Sequence, residues 1–175
     1  MTRFLGPLEL VGDRWVIGDP KRGEGSCVVL TRDGMEHHVR GVPEARSAVP
    51  WSRVEVLTVK AAARTWQATR TGGVVNTLGG GYGEAGPDAC VVGAYLRYPR
   101  EGWTVVYGHH ERPYTYQHMF LLGDLFRKTA EARAAHLLGD PEWLARVVAA
   151  LAPTPRWTPL PGRRVTELLR ELGVT

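Results

Sequence analysis

Apolar positions along this chain change their spacing once. Between residues 14 and 107 they fall in short runs, several of them alternating with polar residues. From residue 116 onward they recur at three- and four-residue steps. Successive side chains of a strand point to opposite faces, whereas residues three and four apart share a helix face, so strands come first and helices last. That order predicts an α+β protein: a mainly antiparallel small β-barrel or bent sheet, capped by a C-terminal helix and followed by two short helices.

The expected strands cover residues 8–10, 14–18, 26–31, 35–40, 49–59, 89–98 and 103–107. Asp33-Gly34 is a tight-turn pair, because the hairpin turns it favours need positive φ at their central residues. Pro50 cannot donate a ladder hydrogen bond and belongs at a strand start or on a sheet edge. Residues 64–70 alternate and admit a further strand; residues 72–88 form a long glycine-rich excursion, and such excursions often carry function. The first helix is expected over 115–138, with Met119, Leu122, Phe126 and Thr129 on one stripe and Gly139 as its stop. Asp140-Pro141-Glu142 offers an N-cap, a proline at the first helical position and an acid in the first turn. Leu144, Val147, Val148 and Leu151 are the apolar side of that second helix. Residues 153–162 hold four prolines and read as a stiff connector to a last helix over 163–172. The expected division is a sheet domain with its capping helix over 1–139 and a helical appendage over 140–175.

Composition narrows the options further. The 175 residues are 43% hydrophobic and 23% charged, as in an ordinary globular domain. No 18-residue apolar run is present, so no transmembrane helix is expected. The first residues lack the apolar core of a secretion signal, which predicts a cytoplasmic location. Cys27 and Cys90 sit in apolar runs, where buried free thiols are the ordinary state of such a protein. Arginine outnumbers lysine 19 to 3, the coding bias of a GC-rich bacterial genome. The net charge of +4 is spread evenly: residues 1–60 carry nine bases and eight acids, and residues 101–175 the same. No basic stripe of the kind that tracks nucleic acid is visible.

Candidate chemistry is sparse. Gly81-Tyr82-Gly83-Glu84-Ala85-Gly86 has the spacing of a dinucleotide-binding loop, but it precedes a proline and a strand instead of joining a strand to a helix. Histidines come in pairs, Glu36-His37-His38 and His109-His110-Glu111. Two strand ends meeting would gather imidazoles suited to zinc. Adjacent strand residues face opposite ways, so each pair offers one ligand easily and not two. No HExxH, CxxC or GxSxG is present, and apolar neighbours blunt both thiols. No cofactor is expected. Of the six tryptophans, Trp157 stands apart in the proline-rich connector, as an anchor or a partner contact. The last helix ends where a helix-turn-helix would need its recognition helix. Its apolar face, Val165, Leu168, Leu169 and Leu172, suits packing on the domain or on a partner.

Val49-Pro50-Trp51-Ser52-Arg53-Val54 resembles the PW-x-x-I/V strand of bacterial pleckstrin-homology-like domains. The layout over residues 8–138, strands followed by a closing helix, is similar too. The resemblance implies a barrel that serves as a platform for protein or lipid contacts. The basic cluster a lipid phosphate would want is reduced to Lys21 and Arg22, offset by Asp19 and Glu24, so a membrane partner is not expected. The leading expectation is a non-catalytic intracellular interaction or scaffold domain that docks a protein partner, or itself, through Trp157 and the last helix. The alternative is a small-ligand or metal-binding enzyme with its pocket under the loop at 72–88 and His109, His110 and Glu111 at the rim.

Overall fold

A computed structural model describes residues 4–64, 86, 89–155 and 160–174. Its strands form two antiparallel sheets, not one closed barrel. The first is a six-stranded meander in chain order: β1 (Phe4–Leu5), β2 (Leu8–Val11), β3 (Arg14–Ile17), β4 (Cys27–Leu30), β5 (Gly34–His38) and β6 (Ser47–Pro50). The second holds β7 (Val54–Lys60), β8 (Val91–Leu96) and β9 (Glu101–Val106), with β8 in the middle. Glu36 lies opposite Val29 and His37 opposite Val28, so the polar residues of β5 alternate in facing as their sequence parity requires.

One expected strand is two. Residues 49–59 break at a 3-10 turn, Trp51–Arg53. The Trp51 side chain is buried there, and its indole N–H donates to the Thr31 carbonyl at 2.8 Å. A buried indole needs an acceptor, and the turn that supplies one also sends the chain from the first sheet to the second. Pro50 ends β6, which is an edge strand, where its missing N–H costs no ladder bond.

The helix after the strands is shorter than its apolar stripe suggests. α1 (Tyr116–Glu131) starts at Thr115, whose hydroxyl accepts from the His118 N–H at 3.1 Å. It ends on Arg133, which has φ of 57°, while the amides of Arg133 and Ala134 return to the carbonyls of Ala130 and Thr129. That is a Schellman stop with arginine where glycine is usual. Gly139 has another task. It closes a 3-10 turn, Ala135–Gly139, and a Cβ there would fall 2.1 Å from the Thr31 oxygen and 2.6 Å from Trp51 Nε1. Only glycine lets this turn lie against the first sheet.

α2 (Pro141–Leu151) is capped as the sequence predicts, with Asp140 accepting from the amides of Glu142 and Trp143. α3 (Pro161–Glu171) lies against α1. One apolar cluster joins both sheets to all three helices: Trp15, Ile17 and Met35 from the first sheet, Leu57, Val92 and Val105 from the second, and Leu125, Leu144 and Leu169 from the helices. The helices after residue 139 thus share the core of the residues before it. Among the described residues no helix is long and apolar enough to cross a membrane.

Candidate functional site

The β4–β5 end of the first sheet faces β9 of the second across a cleft of about 520 Å³. Ser26, just before β4, fastens one end of it. Its hydroxyl donates to the Val106 carbonyl at 2.6 Å, and its own carbonyl accepts from the Gly108 N–H at 2.8 Å. The other end is tied by Trp103, whose indole N–H donates to the Ser47 hydroxyl at 2.9 Å. His37 reaches Ser26 Oγ through Nε2 at 3.0 Å. A carbonyl cannot donate, so the one hydroxyl proton of Ser26 belongs to Val106, and His37 Nε2 must carry the hydrogen in its own bond. A histidine that donates to a serine oxygen is not placed to deprotonate it. The imidazole is also pushed below its ordinary value, chiefly by burial and then by the positive charges of Arg46 and His38. It stays neutral at neutral pH.

His109 lines the same cleft, so the structure brings one histidine of each pair to it. The others turn away, His38 by the alternation of β5 and His110 in the irregular segment after β9. His38 Nε2 pairs with Glu36 at 2.8 Å, and Glu111 is exposed. His109 Nε2 lies 2.8 Å from the Ala62 carbonyl, and its ring stacks on Tyr114 with centroids 4.1 Å apart. Among the described residues no three His, Cys, Asp or Glu side chains are grouped closely enough to hold a metal ion.

His110 belongs to a closed polar chain. Tyr114 Oη lies 2.7 Å from its Nδ1 and also accepts from its backbone N–H at 2.9 Å. Its Nε2 meets Glu9 at 3.2 Å, and Arg112 donates to the same carboxylate at 2.8 Å. The network assigns the protons: Tyr114 O–H donates to Nδ1, and Nε2–H donates to Glu9. Burial, with the Arg112 charge, pushes the imidazole down to about 4. Carboxylate, imidazole and hydroxyl follow the order of a nucleophilic triad. Here, however, the hydroxyl is a tyrosine 5% exposed, and burial raises it well above its ordinary value. It keeps its proton at neutral pH and joins the residues after β9 to β2. Arg112 adds a bond to the Gly6 carbonyl and lies 4.2 Å over the Phe4 ring.

Both thiols are free and buried. Burial pushes Cys27 up to about 11 and raises Cys90 as well, so neither is a ready nucleophile. The residues expected to form a partner face on the last helix lie inward. Val165 and Leu169 are fully buried and Leu168 is 5% exposed, all within the chain's own core, while Leu172 is half-buried against it. This face of the amphipathic helix packs on its own domain. Trp157 and the loop at 72–88 except Gly86 lie outside the described residues, and with them the rest of the Gly81–Gly86 spacing.

Sequence reasoning passed over the residues that shape the cleft, Ser26 and Arg46, and those that lock the interior chain, Glu9 and Tyr114. They are scattered through the chain and meet only when the two sheets come together. No protein-family model matches this chain, and neither a curated protein nor a solved structure matches it.

Proposed function

We propose that this protein is a non-catalytic binding domain whose working site is the cleft between the sheets. One observation carries this reading: in the hydroxyl–imidazole pair of the cleft, Ser26 and His37, the serine proton is committed to the Val106 carbonyl. The cleft therefore offers donors, acceptors and room for a small ligand, without an activated nucleophile. The expected interaction role is kept and moved from the C-terminal helix to this cleft. The reading places the protein in the cytoplasm, where two unpaired buried thiols are ordinary. Kinship with pleckstrin-homology-like platforms belongs to the same proposal. It is supported by antiparallel strands followed by a helix, α1, that packs on β7, with the strands divided between two sheets.

A fragment screen followed by backbone amide resonances tests it. The expected hits perturb Ser26, His37 and Thr104, and a Thr104→Trp variant that fills the cleft loses them. Hits that gather elsewhere, or that survive the filled cleft, overturn the assignment. Turnover of a screened ester or amide, abolished by Ser26→Ala, would make the protein an enzyme instead.

A further inference from the structure

We infer that the cleft is built for a carboxylate, held by the guanidinium groups of Arg22 and Arg46. The inference rests on the binding reading above and names the chemistry of its ligand. Arg22 stands in the loop between β3 and β4, and Arg46 directly precedes β6. The meander brings both to the lining of one cleft. Arg22 Nη1 is buried and has no hydrogen-bond acceptor among the described residues. A guanidinium nitrogen withdrawn from water without an acceptor is destabilising, and a bound oxyanion removes that penalty.

The neighbouring arginines show what a structural role looks like. Arg40 donates to the carbonyls of Lys21 and Gly23, which holds the Arg22 loop in shape. Arg112 clamps Glu9. Arg22 and Arg46 enter no ion pair among the described residues. The charge of Arg46 is nonetheless felt inside the cleft, because it helps hold His37 neutral. Glu24 is the one acid of the lining. Arg22 and Arg46 outnumber the one lining glutamate, so the cleft favours an anion. A guanidinium fork also fits the planar carboxylate with two parallel bonds.

The test is a titration of the full chain at constant ionic strength with acetate, its neutral isostere acetamide, and inorganic phosphate. The amide resonances of Ser26, His37 and Thr104 are followed throughout. Acetate should shift them saturably, with acetamide and phosphate both weaker. Arg22→Gln and Arg46→Gln should each lower acetate affinity by about tenfold or more, the usual worth of a charge-assisted hydrogen bond. Arg163→Gln, on the exposed side of α3, should leave it unchanged. If Arg22→Gln loosens its loop, the exposed Arg46 decides the matter. Equal binding of acetate and acetamide, or unchanged affinity in both cleft variants, overturns the carboxylate inference while fragment hits in the cleft keep the binding reading. Phosphate binding more tightly than acetate overturns the choice of anion. Fragments and anions that all leave the cleft unperturbed remove both.

Discussion

Ser26–His37 at the cleft and Tyr114–His110 in the interior hold the same ingredients, a hydroxyl 3.0 or 2.7 Å from an imidazole nitrogen, in opposite surroundings. In the cleft the imidazole donates and the hydroxyl proton goes to a backbone carbonyl. In the interior the hydroxyl donates, and the imidazole passes its other hydrogen to Glu9. The interior pair has a partner at each of its polar atoms. The cleft pair borders open space beside two arginines that no carboxylate among the described residues pairs with. Proximity of histidine and hydroxyl is thus a poor sign of catalysis by itself; the direction of the proton, and what remains unsatisfied nearby, separates a clamp from a binding wall.

The strongest way to break this contrast is to cut the interior chain. Tyr114→Phe removes an acceptor from the His110 N–H and a donor from Nδ1 in a buried site. Leaving two such groups unpaired should lower stability by about 2–3 kcal/mol, read by urea unfolding. Little or no loss would show that the chain is not a clamp.

A pH series sharpens the contrast next. The folded imidazole of His110 is pushed down to about 4 from the ordinary 6.5. Between those values the unfolded chain binds a proton that the folded chain refuses. Its contribution is therefore complete above 6.5 and is lost as pH falls toward 4. The loss from this group between pH 7 and 5 should be on the order of 2 kcal/mol. His110→Gln should flatten that part of the slope. A slope that persists unchanged in the variant would assign it to other groups.

Much of the architecture was legible because local chemistry and tertiary context agree. Asp140-Pro141 starts α2 where the cap and the proline demand, and Pro50 lies on an edge strand. His37 and His38 diverge as strand geometry requires. The misreadings have a common cause: contacts distant in sequence override local pattern. Residues 49–59 alternate well enough for one strand, yet Trp51 needs the Thr31 carbonyl and breaks it. The α1 stripe continues past Glu131, but the chain turns at Arg133 so that Gly139 can lie against Thr31. The last helix reads as a face for its own domain or for a partner, and its sequence does not say that α1 lies against it. The cleft was the least legible feature, since it depends on how two sheets face each other, and neither sheet's sequence records that.

Ser26→Ala should have the smallest effect on the fold. The serine hydroxyl joins β4 to β9 through the Val106 carbonyl, but that carbonyl borders the open cleft, where water replaces the lost donor. Stability should fall by about 1 kcal/mol, the ordinary net worth of one hydrogen bond. His37 Nε2–H loses its acceptor in the same step, and it too turns to water. If instead the loss equals that of Tyr114→Phe, the cleft is as closed as the interior and the distinction between clamp and binding wall fails. A small loss with acetate affinity largely kept would place the ligand's hold on the arginines and leave Ser26 as a staple between the sheets.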